Sequence, residues 1–155
     1  VSSAAMFALV GMIYDRIHTR DLDQMGGLWV VAPVYGGIMM FASMASLGLP
    51  GLNGFVSEFM VVRGVWAISP LFTLVTLISM AGLLFTGAYI LKGIRRVLHG
   101  PLNQQAVEMA HGRSLEINVR EVIAMAPLLV LMLFIGVFPA WIVGVINQTV
   151  TRLLS

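Results

Sequence analysis

The sequence contains no cysteine and little charge: 7 acidic and 9 basic residues among 155, with 3 histidines. Without cysteine it forms no disulfide and offers no thiolate to a cluster. A formal net charge of +2 is too small an excess for nucleic-acid binding, and the basic residues gather at the ends of apolar runs. His18, His99 and His111 are scattered, with no acid at ligand spacing, so no metal site is expected. Phosphate loops, dinucleotide fingerprints and nucleophile motifs are also missing.

What remains is apolar. The chain is 59% hydrophobic with a mean hydropathy of +0.94, far from the composition of a soluble domain. Uncharged stretches run from Gln24 to Ser57 (34 residues), Gly64 to Leu91 (28) and Val122 to Thr151 (30). Each exceeds the roughly 20 residues a spanning helix needs. A shorter one, Val1 to Tyr14, opens the chain without Met and without the basic flank of a signal peptide. The reading is an all-α polytopic membrane protein, a single membrane-domain fragment over 1–155 from the C-terminal part of a longer polypeptide.

Polar punctuation places the segments. Helices are expected at about 1–16, 31–67, 71–91 and 122–146, with polar loops at 17–30 and 92–121. The 38 residues from Trp29 to Trp66 would make a helix of about 57 Å, against a bilayer core of about 30 Å. They form either a hairpin of two spans or one long, broken span. One broken span puts Arg16, Arg20, Lys92, Arg95, Arg96, Arg113 and Arg120 on one side and only Arg63 and Arg152 on the other, whereas a hairpin abolishes the bias. One span broken near Pro50 is therefore favoured, with both loops cytoplasmic and about four transmembrane helices in all.

The break has a physical cause. Pro50 lacks an N–H and clashes with the preceding turn, while Gly48, Gly51 and Gly54 lower the cost of leaving helical geometry. Freed backbone groups at membrane depth need protein or water as partners, and broken helices recur in ion transporters. The alternative is a proline kink that serves packing alone. Glu58 weighs against that alternative. It lies eight residues after Pro50 and eight before Trp66, where a charged acid costs on the order of 3 kcal/mol. Arg63, at i+5, points about 140° away around the helix, so Glu58 needs a partner on another helix. A buried acid with a movable partner can take up and release a proton; a neutral, hydrogen-bonded glutamate is the structural alternative.

Two further groups are candidates for the same path. His18, in the run DRIHTRD (Asp15–Asp21), is a residue type suited to proton entry, although that run also reads as a solvated cap setting orientation. Lys92 directly follows an uncharged run and can either point inward or snorkel with Arg95 and Arg96.

The runs MIYDRIHTRDLDQMGGLW (Met12–Trp29) and MASLGLPGLNGFVSEFMVV (Met44–Val62), with the Leu91–Gly93 to His99–Pro101 segment, closely resemble the subunit M (chain 4) family of NADH-quinone oxidoreductase, respiratory complex I. The resemblance covers essentially the whole chain, in order. It implies the C-terminal part of a fourteen-helix antiporter-like fold in a bacterial inner membrane, with Glu58 at the position of a glutamate on the discontinuous twelfth helix. It also implies a non-redox subunit of a proton-pumping translocase, coupling quinone reduction elsewhere to proton transfer through buried Glu and Lys. The implied partners are the missing N-terminal part, neighbouring antiporter-like and other membrane-arm subunits, and lipid. NADH, FMN, iron–sulfur clusters and quinone belong to partner subunits, with no cofactor in this chain. A subunit of a sodium/proton antiporter or membrane-bound hydrogenase shares the fold, and a non-transporting structural subunit is a rival of another class.

Overall fold

Long apolar runs interrupted only by Gly, Pro and polar loops satisfy their backbone internally as helices, and every regular element among the described residues is helical. The structure, a computed structural model, describes residues 1–66, 68–110 and 114–154. His111 and Arg113, used in the histidine and charge counts, and Ala67, at the end of the expected 31–67 segment, lie outside the described residues. The helices are α1 (Ser2–Ile17), α2 (Leu28–Val31), α3 (Pro33–Ser46), α4 (Asn53–Trp66), α5 (Pro70–Leu98), α6 (Gln104–Met109), α7 (Val119–Val137) and α8 (Ala140–Leu154), with a 3-10 turn at Leu22–Gln24. Pro33 and Pro70 open α3 and α5, where a missing N–H costs nothing. Ser69 Oγ accepts from the Phe72 amide at 3.5 Å to cap α5.

The helices make four antiparallel legs. α1 and α3 pack in opposite senses, the Tyr35 hydroxyl donating to the Leu9 carbonyl at 3.4 Å and Ser43 lying beside Met6. α4 carries on from α3 in the same sense. α5 returns along both, from Thr73 Oγ1, which donates to the Trp66 carbonyl at 2.8 Å, past Gly87 against Leu47, to Leu91 and Ile94 beside Met40. α7 and α8 run in the sense of α3 and α4, beside them. The α3–α4 run is thus one broken leg and not a hairpin.

Both polar loops lie at one end of this bundle. The Gly27 amide donates to the His99 carbonyl at 3.3 Å, the Asn103 amide to the Gly26 carbonyl at 3.2 Å, and Arg96 pairs with Asp23 at 3.3 Å. Trp29 stacks on the His99 ring, centroids 6.2 Å apart. Gly27 has φ +64, and a Cβ there would overlap the Leu102 backbone, so the two loops approach only because this residue has no side chain.

Several boundaries differ from the sequence expectation. α5 runs to Leu98 instead of Leu91, because Ile94, Val97 and Leu98 present a buried stripe while Lys92, Arg95 and Arg96 stay exposed. The last segment, expected as one helix over 122–146, is two helices parted at Phe138-Pro139, where proline supplies no amide to continue the ladder. α7 also begins earlier, at Val119, because the Glu121 carboxylate accepts from the Asn118 amide at 2.6 Å.

α5 and α7 are each long and apolar enough to cross a bilayer. At 14 residues each, α3 and α4 reach only about 21 Å apiece and cross only in tandem. The core sits among α1, α3, α7 and the loops, around Leu9, Ile17, Leu28, Tyr35, Met125 and Met132. α5 turns its apolar residues outward instead, Leu84 and Phe85 being 77% and 76% exposed. A face of that kind is unfavourable in water and favourable in hydrocarbon or against further helices.

Arg16, grouped with a solvated loop in the sequence reading, is in fact 8% exposed. It donates to the carbonyls of Met12 (2.7 Å), Ser114 (3.3 Å) and Glu116 (3.2 Å), and bidentately to Glu121 (3.1 and 2.6 Å). This fan of donors satisfies the guanidinium and offsets its desolvation. The Glu116 carboxylate in turn accepts from the amides of Val34 (2.8 Å) and Tyr35 (3.0 Å), closing the open N-terminus of α3. The second half of the long loop is thereby clasped to the loop-side ends of α1, α3 and α7.

Candidate functional site

Between Ser46 and Asn53 the chain leaves helical geometry, with Gly48 at φ +71 and Gly51 at φ +91 on either side of Pro50. Local turns keep several amides bonded: Leu47 donates to Ser43, Leu49 to Met44 and Leu52 to Leu49, at 2.9, 3.3 and 3.1 Å. Glycines let the surrounding backbone close on this turn. A Cβ on Gly54 would overlap the Ala45 carbonyl, and one on Gly136 of α7 would overlap the backbone of Gly51 and Leu52. The end of α7 therefore abuts the break directly, and the α7–α8 interruption at Phe138-Pro139 lies at the same level.

The space that a side chain on Gly48 would fill holds the Glu58 carboxylate. Glu58 therefore folds back along α4 onto the break. It is half-buried and also lines a cavity of about 290 Å³ between α4 and α5, with Ser57, Val61 and Val62 on one wall and Ser79, Met80 and Leu83 on the other. Met80 is ten residues into α5, which sets this level about 15 Å from the Pro70 end of that helix. The serines turn their protons to the backbone, Ser57 Oγ donating to Gly54 at 2.8 Å and Ser79 Oγ to Val75 at 2.9 Å. Their oxygens retain acceptor capacity. At the start of α4, Asn53 Oδ1 is buried with no hydrogen-bond partner among the described residues.

Among the described residues no hydrogen bond or ion pair holds Glu58. Arg63 points to the other side of α4, where it lines a separate groove with Phe55 and Phe59, as the i+5 spacing requires. His18 is the left-handed C-cap of α1 (φ 54), exposed at the loop end, its amide donating to the Tyr14 carbonyl at 2.7 Å. Lys92 is exposed on α5, twelve residues beyond Met80 and so about 18 Å along that helix from the cavity. The structure brings Glu58, Gly48, Pro50, Gly51 and Gly54 together and leaves His18 and Lys92 apart from them. No three His, Asp or Glu side chains among the described residues gather as metal ligands.

The profile of the NADH:quinone oxidoreductase/Mrp antiporter transmembrane family matches residues 1–86, more than half of the chain and all of the break and α4. The chain belongs to this family. It is 37% identical over 153 residues to the NADH-quinone oxidoreductase subunit M of Rhodobacter capsulatus, covering 99% of this chain and 28% of that protein. It is 39% identical over 139 residues to subunit M of Pseudomonas aeruginosa, covering 90% of this chain and 26% of the relative. It is 33% identical over 156 residues to an NAD(P)H-quinone oxidoreductase chain 4 of a Synechococcus strain, covering 98% and 29%. The chain thus spans less than a third of the length of these relatives.

Gly136, Ser79 and Asn53 lie at the break or line the cavity beside Glu58, and they were missed from sequence. Gly136 carried a signal, since Gly-x-x-Pro (Gly136–Pro139) inside an apolar run resembles the first break. Ser79 and Asn53 carried none, because small polar residues are common in apolar helices and only the packing of α5 on α4 singles these out.

Proposed function

We propose that the chain is the C-terminal part of a proton-translocating membrane-arm subunit of an NADH-quinone oxidoreductase, in which Glu58 exchanges a proton at the outer half of the membrane. The observation that carries this reading is the Glu58 carboxylate lodged against Gly48 at a helix break, deep along the bundle, with no counter-ion among the described residues. An intramembrane acid so placed either holds a proton or meets a charge supplied from outside this segment. The break supplies the second ingredient, since Asn53 Oδ1 and the turn backbone offer polar contacts to water at membrane depth. Proton exchange then runs between a buried Lys/Glu line in the missing N-terminal part and the outer side, through the Glu58 carboxylate.

In this reading α1, α3–α4, α5 and α7–α8 are the last legs of a fourteen-helix antiporter-like fold in a bacterial inner membrane. The loops 17–30 and 92–121 are cytoplasmic. His18 and Lys92 lie on the cytoplasmic side of the same route. Partner subunits carry NADH, FMN, iron–sulfur clusters and quinone, and this chain contributes no redox step. The names of the relatives favour this assignment over a sodium/proton antiporter subunit, which the family description also embraces.

The test is Glu58→Gln in the full-length subunit, assembled in its native complex in sealed vesicles, with quinone reduction and proton uptake recorded together. The expected result is intact assembly with a fall in proton uptake. Wild-type values for both rates would refute the assignment of Glu58 and leave a structural acid.

A further inference from the structure

The groove on the face of α4 opposite Glu58 has features that proton transfer does not use. It has a volume of about 640 Å³, within the roughly 300–1,000 Å³ of ligand sites. Phe55, Phe59 and Arg63 follow at i, i+4 and i+8, so they form one stripe along α4. The two phenyl rings stack with centroids 5.6 Å apart. Across from them stand Gly136 at the break end, then Val143 and Asn147 of α8. The groove is therefore polarised. Its inner end is closed by glycine backbone and aromatic rings, and its outer end by a guanidinium and an amide.

None of the lining residues is acidic, and no ion pair among the described residues involves Arg63. The same outer end carries Trp66, three residues on from Arg63, and aromatic residues of this kind favour the headgroup level. A cation and an amide at headgroup depth above a long apolar trough complement one chemistry, an amphiphile with an anionic head and a hydrocarbon tail.

We infer that the α4–α8 groove is a specific site for one anionic phospholipid, its phosphate on Arg63 and Asn147 and an acyl chain along Phe59 and Phe55 towards the break. Bound there, the lipid braces α8 against α4 on the face opposite Glu58. The inference rests on the membrane topology proposed above and is independent of the protonation of Glu58.

The experiment uses the full-length subunit in its native complex, reconstituted into vesicles carrying a trace of phosphatidylglycerol or phosphatidylcholine with a photoactivatable group in mid-chain. Labelled peptides are then mapped. The expected result is labelling of α4 and α8 groove residues by phosphatidylglycerol above phosphatidylcholine. Arg63→Gln should lower it about tenfold, the loss of one charge-assisted contact, while Arg63→Lys retains most of it. The outward face of α5 around Leu84 and Phe85 should label equally with both lipids in every variant, reporting correct insertion. Equal groove labelling by both lipids, or none of the Arg63→Gln loss, would reduce the site to bulk annular lipid and overturn the inference. A silent groove beside a labelled α5 would show that another polypeptide covers it, which overturns the inference and leaves the topology standing. Silence on α5 as well would overturn both.

Discussion

Replacing Gly48 with alanine tests whether the break holds the acid. Two costs are superimposed at this position. The residue has φ +71, so alanine pays about 1–2 kcal/mol for the left-handed region. Its Cβ also enters the space of the Glu58 carboxylate, which must swing out of its rotamer at a further cost of about 1 kcal/mol. Gly51 separates the two costs, because it has φ +91 and nothing within 4 Å of its missing Cβ. Gly51→Ala should therefore lose only the backbone component. In thermal unfolding of the full-length subunit in lipid nanodiscs, Gly48→Ala should be the less stable by about 1 kcal/mol. On a Glu58→Ala background the difference should vanish, giving a coupling energy of the same size. Proton uptake by the assembled complex should fall more in Gly48→Ala than in Gly51→Ala. Equal losses for the two alanines in both backgrounds would show that the carboxylate does not rest on Gly48, and the geometry used for the proposed function would be wrong.

Three other outcomes follow from the packing. Arg16→Gln leaves Glu121 and three carbonyls short of their donor and should cost about 3–5 kcal/mol, seen as faster proteolysis of the 92–121 loop in the assembled subunit. Glu116→Ala uncaps the amides of Val34 and Tyr35 and should cost about 1–2 kcal/mol in thermal unfolding, without loss of insertion. Gly136→Ala drives a Cβ into the Gly51–Leu52 backbone and should destabilise by about 1–3 kcal/mol, whereas Gly144→Ala on α8, with open space around it, should be neutral or slightly stabilising in the same melt.

The path to the fold was uneven along the chain. Pro50 with its flanking glycines marks the first break because those residues change the backbone on their own account. The second break, at Pro139, uses the same residue types, but a smooth hydropathy over 122–146 conceals it. Charge led to different results in different places. Counting arginines by side put the two polar loops together, and the structure brings Gly26, Gly27 and Asp23 of one against His99, Asn103 and Arg96 of the other. Reading DRIHTRD as a solvated cap placed Arg16 in solvent, because burial of a guanidinium depends on carbonyls from Ser114 and Glu116, about a hundred residues away.

Composition, hydropathy and the position of Glu58 beyond a Gly/Pro interruption determined by themselves that this is a helical membrane protein with an acid near a broken helix. These are local properties, set by transfer free energy and by backbone geometry within a few residues. Only the tertiary structure decided where that acid points. The carboxylate rests on Gly48 because its side chain folds back along α4 to the break, and a cavity lies beside it because α5 runs back at that level. Close approach of Gly136 fixes the far side, and Arg63 is left facing a different groove. Such placements depend on contacts between distant segments, and a glycine reveals that it marks a contact only when the neighbour occupying its empty side is known.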